Sequence, residues 1–99
     1  MEILALKTFL AVVEEGGVLA ASKRLHTVQS NVTNRIRRLE EQLGATLFVR
    51  KGRGLELAPA GRVLQGYAEQ MVQLEQLTGQ AVRQAGDGVG QLRIGSMET

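Results

Sequence analysis

The run Val18-Leu19-Ala20-Ala21-Ser22-Lys23-Arg24-Leu25, the turn His26-Thr27-Val28, and the run from Gln29 to Leu43 decide the fold. In the last run Val32, Ile36, Leu39 and Leu43 recur at steps of four and three. That spacing predicts an amphipathic helix over about 29–43 with the apolar stripe turned inward. Gly44 suits its left-handed terminator. The first run predicts a short helix over about 18–25, whose small residues Ala20, Ala21 and Ser22 let another helix come close. His26 reads as a turn residue rather than a catalytic one. Two helices joined by so short a turn form a helix-turn-helix pattern.

Toward the N-terminus, Leu6, Phe9, Leu10 and Val13 are spaced i, i+3, i+4, i+7 and predict a helix over 3–15, stopped by Gly16-Gly17. Toward the C-terminus, Thr46-Leu47-Phe48-Val49-Arg50 and Leu55-Glu56-Leu57 flank the basic, Gly-rich Lys51-Gly52-Arg53-Gly54, which predicts a β-hairpin. Pro59 then stands where a helix takes its first residue. From there Ala60, Leu64, Tyr67, Met71, Leu74, Thr78, Ala81 and Ala85 alternate steps of four and three, a heptad seam. Gly66 and Gly79 inside that helix each cost about 1 kcal/mol relative to Ala, so it needs a partner surface. Gly86-Asp87-Gly88-Val89-Gly90 is expected to break it as a flexible linker, and Gln91-Leu92-Arg93-Ile94-Gly95 to form one strand before the turn Ser96-Met97-Glu98-Thr99. A lone strand is not stable, so the chain is expected to continue into a second domain. The expected division is 1–58, 59–86 and 87–99: a mainly α, winged helix-turn-helix of three helices plus a hairpin wing, then a long dimerisation linker helix, then a hinge and first strand of a second domain.

Composition narrows the function. With 43% hydrophobic but only 3% aromatic residues, the core must be aliphatic, which suits helices. There is no Cys and one His, which excludes disulfides, thiolate metal sites and multi-His sites. No apolar run reaches the roughly 20 residues of a membrane span, and no signal-peptide layout opens the chain, so a cytoplasmic location is expected. The net charge of +2 is unevenly spread. Residues 21–53 carry Lys23, Arg24, Arg35, Arg37, Arg38, Arg50, Lys51 and Arg53 against Glu40 and Glu41, a net +6, whereas 63–99 carry −2. A basic first half fits a polyanion partner, or a solvated charged face.

At 100° per residue, Ser30, Thr33, Asn34 and Arg37 fall opposite the Val32–Ile36–Leu39 stripe. Arg grips guanine, Asn grips adenine, and Thr adds a hydroxyl bond or touches a thymine methyl. Arg50, Lys51 and Arg53 at the hairpin tip suit phosphates or the minor groove, and Lys23 and Arg24 on the short helix suit phosphates. Arg35 and Arg38 sit at the edges of the polar arc, with either DNA or the carboxylates of Glu40 and Glu41 as partners. No nucleophile–base pair, metal cluster or phosphate-binding motif argues for an enzyme. A coiled-coil adaptor would want apolar anchors where the 29–43 helix is polar.

At these residues the chain resembles the LysR-type transcriptional regulators. Ala20-Ala21-Ser22-Lys23-Arg24-Leu25-His26 is similar to the family's second helix. Gln29 to Glu40, with Leu39, Glu40, Leu43 and Gly44, resembles its recognition helix. Leu47-Phe48-Val49-Arg50 and Leu57-Ala58-Pro59-Ala60-Gly61 resemble its wing and linker-helix start, and Leu92-Arg93-Ile94-Gly95 its first effector-domain strand. The resemblance implies sequence-specific binding of promoter DNA by Lys23, Gln29, Ser30, Asn31, Thr33, Asn34, Arg37, Arg38, Arg50, Lys51 and Arg53. It also implies a homodimer through Leu64, Tyr67, Met71, Leu74, Thr78 and Ala81, a tetramer at full length, and a bacterial, nucleoid-associated protein. No cofactor is expected within these residues; a small-molecule effector is expected in the longer protein. Where the family often has Ser-Gln-Pro this chain has Val28-Gln29-Ser30, and Val18 and Ala58 replace hydroxyl residues at expected N-caps, each loss worth about 1 kcal/mol. Thr27 is the candidate replacement cap for the third helix.

Overall fold

A computed structural model describes residues 1–89 in the order α1 (Ile3–Glu15), α2 (Val18–Arg24), α3 (Gln29–Leu43), β1 (Phe48–Lys51), β2 (Gly54–Leu57) and α4 (Pro59–Val89). The strand and turn expected over 91–99 lie outside the described residues. On α1 the i, i+3, i+4 spacing buries Leu6, Phe9 and Leu10, joined by Thr8, Ala11 and Val12. Gly16 ends the helix at φ 81°, a left-handed conformation that glycine adopts without a Cβ penalty. On α2 Ala21 and Ser22 are buried, small enough to let α1 and α3 close over them. His26 does turn the chain, at φ 56°. Val32, Ile36 and Leu39 of α3 are buried as their spacing requires.

Three expectations on these helices need correction. Leu43 remains 41% exposed, because the last turn of α3 runs past the neighbours that cover the rest of the stripe. Val18 is not a cap but the first helical residue of α2; Gly17 holds the cap position and offers no side chain. Nor does Thr27 cap α3. Val28 is at the N-cap without a side-chain bond, and the Thr27 hydroxyl instead accepts from the Asn31 amide at 2.8 Å.

The hairpin pairs antiparallel with Phe48 opposite Leu57 and Lys51 opposite Gly54, leaving the two-residue turn Gly52-Arg53. Phe48 carries the hairpin onto the core, its ring centroid 5.3 Å from that of Phe9. The Leu55 N–H reaches the carbonyl of Gly16 at 3.4 Å, so the end of α1 also supports the wing. Leu47, Leu64 and Ala68 complete a core of aliphatic side chains around Phe9.

Helix α4 does not stop at Gly86 but continues through Gly86, Asp87 and Gly88 to Val89. An established helix adds one hydrogen bond per residue, and glycines at about 1 kcal/mol each weaken propagation without forbidding it. The described residues extend 55 × 26 × 19 Å. A helix of 31 residues is about 46 Å long, so α4 accounts for the long axis and projects beyond the domain.

Candidate nucleic-acid interface

Because α3 buries Val32, Ile36 and Leu39, its opposite face is turned to solvent. Gln29, Ser30, Asn31, Asn34, Arg37 and Arg38 are exposed and Thr33 is half-buried. Thr33 and Arg37 line one shallow groove with Arg50 of β1, floored by Val12, Val18, Ile36, Phe48 and Leu55 and edged by Glu40. The polar arc of α3 and the base of the wing are thus brought together. Arg53 and Lys51 stand exposed at the hairpin tip, and Lys23 is exposed on α2. Arg38 lies on the other margin of α3, beside a second groove with Glu2, Leu4 and Gln42.

Local pairing separates these side chains into two groups. Among the described residues, Lys23, Gln29, Ser30, Asn34, Arg37, Arg38, Arg50 and Arg53 make no side-chain hydrogen bond or ion pair. Asn31 is turned back onto Thr27. Lys51 pairs with Glu56 across the hairpin at 3.2 Å. Arg24 is held by Glu14 at 2.6 Å and Glu15 at 3.3 Å. The hydrogen bond and charge of Glu14 raise the Arg24 pKa above its ordinary value. Exposed pairs of this kind contribute little to stability, so a polyanion can compete for either cation. Of the two cations at the edges of the arc, Arg35 pairs with neither carboxylate; its guanidinium donates to the Thr8 hydroxyl at 3.4 Å. Glu40 accepts instead from the Leu47 backbone N–H at 2.8 Å. Nothing in the residue order signals this contact, which spans the end of α3 and the approach to the wing.

The seam on α4 divides. Leu64 is packed into the core against α1, only 8% exposed, rather than standing open. Its remaining edge lines an apolar groove with Met1, Tyr67, Gln70, Met71 and Leu74. Tyr67 and Leu74 are 62% and 63% exposed. Met71 is half-buried, and Thr78 and Ala81 are exposed. Leu77 and Val82, outside the expected seam, are exposed as well. Among the described residues no cluster of three or more His, Asp or Glu side chains could hold a metal ion, and no helix is long and apolar enough to cross a membrane.

The family model of the bacterial regulatory helix-turn-helix protein, lysR family, matches residues 3–62. The chain belongs to this LysR family. It is 48% identical over 99 residues to the HTH-type transcriptional regulator YofA of Bacillus velezensis, covering all of this chain and 34% of that protein. It is 40% identical over 99 residues to the HTH-type transcriptional regulator GltR of Bacillus subtilis, covering all of this chain and 33% of the relative. The chain therefore spans about a third of the length of the relatives it matches. Among solved structures, the DNA-binding domain of CbnR in complex with DNA matches with a TM-score of 0.83 at 40% identity, covering 87% of this chain and 99% of that one. The BenM DNA-binding domain on its benA site 1 DNA matches with a TM-score of 0.77 at 32% identity, over 86% of this chain and 97% of that one. The LysR-family chain is thus a winged helix-turn-helix, with β1 and β2 as the wing and α4 in the place expected for the linker helix.

Proposed function

We propose that this chain is the DNA-binding part of a transcription regulator that reads promoter DNA as a homodimer. The observation that carries the reading is the groove in which Thr33 and Arg37 of α3 stand beside Arg50 of the wing. A helix with exposed Gln29, Ser30, Asn34 and Arg37 presents amide, hydroxyl and guanidinium groups to base edges in a major groove. The adjoining wing, with Arg50, Lys51 and Arg53, reaches the flanking phosphates or minor groove. Two family members of similar fold were solved on DNA. Each copy supplies one reading helix, and pairing through the exposed face of α4 sets two of them at a fixed separation, so the target is an interrupted inverted repeat. In the longer protein a small-molecule effector bound outside these residues would modulate that binding, with tetramers as the assembled form and the bacterial cytoplasm as the site of action.

Titration of a random duplex at several salt concentrations tests the reading. With roughly 6–10 phosphate contacts per dimer, affinity falls about 10³–10⁵-fold between about 50 and 200 mM salt; a flat response would overturn it. Sequence reading is tested by Asn34→Ala, expected to cost about 1–3 kcal/mol on a duplex selected from a random pool and little on unrelated DNA. Equal losses on both would make Asn34 a backbone contact.

A further inference from the structure

The wing and the start of α4 form one unit. The Ala58 N–H donates to the Leu47 carbonyl at 2.9 Å, extending the hairpin ladder by one pair toward the helix. Gly61 of α4 lies so close to the same carbonyl that a Cβ there would stand 2.2 Å from the Leu47 oxygen and 2.8 Å from Leu57 Cδ2. Beside apolar packing, the hydrogen bonds between the end of α3 and the approach to this unit run through one residue. The Glu40 carbonyl accepts the Ala45 N–H at 3.1 Å, and the Glu40 carboxylate accepts the Leu47 N–H at 2.8 Å. Among the described residues this is the only side-chain hydrogen bond from α3 to the wing or α4. It is charge-assisted, the stronger kind, and it satisfies a backbone donor at a residue whose side chain is 1% exposed. Glu40 also edges the groove that holds Thr33, Arg37 and Arg50. A carboxylate in that place repels phosphate, so its presence beside a polyanion site needs a different explanation.

We propose that Glu40 is a positioning residue for DNA readout. Without touching the duplex, it holds the wing at the distance from α3 at which the two engage one duplex together. The inference rests on the DNA-binding reading above.

The test is a reciprocal pair of substitutions on the 99-residue chain, probed with a duplex that the unsubstituted chain selects from a random pool. Glu40→Gln keeps the reach and an acceptor oxygen but removes the charge; Glu40→Asp keeps the charge but withdraws the oxygen by one methylene. Positioning through Leu47 requires Glu40→Gln to bind within about threefold of the parent and Glu40→Asp to bind about 5–30-fold more weakly, the range expected for one lost hydrogen bond. Hydroxyl-radical protection is then lost at the wing-contacted flanks and kept over the central base contacts. In an Arg53→Ala background, Glu40→Asp has little further effect, because the contact it misplaces is already gone. A merely structural role predicts protection weakened evenly over the whole site and independent, multiplying losses in the double variant, and that result overturns the proposal. So does the reverse order, with Glu40→Asp tight and Glu40→Gln altered, which would make the charge the active feature. If the parent binds and Glu40→Asp binds equally well, this inference alone fails; if the parent binds no duplex, the DNA-binding reading fails with it.

Discussion

Between Pro59 and Val72, α4 buries Gly61, Leu64 and Ala68 against α1 and the base of the wing, with Met71 and Val72 half-covered. From Gln73 to Gly86 no side chain is buried, although the four-and-three spacing continues through Leu74, Thr78, Ala81 and Ala85, with Leu77 and Val82 exposed beside it. The last tie to α1 is the 3.9 Å ion pair between Lys7 and Glu75. One helix thus serves two surfaces. Its first half is the fourth helix of the domain, and its second carries the same periodicity with nothing among the described residues to cover it. Gly79 and Gly86 within this stretch each weaken the helix by about 1 kcal/mol relative to Ala. Its regular apolar pattern fits burial against a second copy.

One substitution in each half of α4 separates the two surfaces. Leu64→Glu places a carboxylate in the core and is expected to cost about 3–5 kcal/mol, enough to unfold most of the domain in a thermal melt followed by circular dichroism. Leu74→Glu adds the same charge where the side chain is 63% exposed. It is expected to leave the melt of the winged domain nearly unchanged while weakening self-association about 10–100-fold, the effect of losing an interface anchor. Light scattering on the two variants decides the matter. A Leu74→Glu chain that stays dimeric would move the pairing surface off this face.

The elements themselves were legible in the residue order, because period and punctuation agree: the stripes of α1 and α3, Gly44 at φ 65° after α3, and the Gly-rich tip of the hairpin. What could not be read was which partner covers each stripe. Leu64 and Leu74 both stand on one heptad seam, and only the path of α1 across the first of them distinguishes core from open face. The same holds for the DNA-facing arc. Residue types at 100° spacing placed Asn34 and Arg37 outward, but that Asn31 turns back to Thr27, or that Arg24 is held by Glu14 and Glu15, depends on rotamers and on how α1 meets α2. Glu40 was legible only as a carboxylate beside arginines. Its bond to Leu47 exists because Gly44 reverses the chain and returns Leu47 over the end of α3.

Two glycines of α4 also differ between buried and open surroundings. At Gly61 a Cβ would meet the Leu47 carbonyl, a backbone atom that cannot swing aside, so Gly61→Ala is expected to destabilise the domain by about 1–3 kcal/mol. At Gly66 a Cβ would meet nothing within 4 Å, and the residue is exposed within a continuous helix. There alanine only removes backbone freedom from the unfolded chain and improves helix propensity, so Gly66→Ala is expected to stabilise by about 0.5–1 kcal/mol. For a domain of this size that raises the melting temperature by about 2–8 °C. The sign is informative about the second copy as well. Stabilisation at low protein concentration that persists at high concentration means that the Gly66 face stays open in the dimer. Stabilisation that reverses as the protein associates means that two α4 helices approach closely enough at Gly66 to exclude a methyl group, which would centre the pairing surface on the first half of the helix rather than on Leu74.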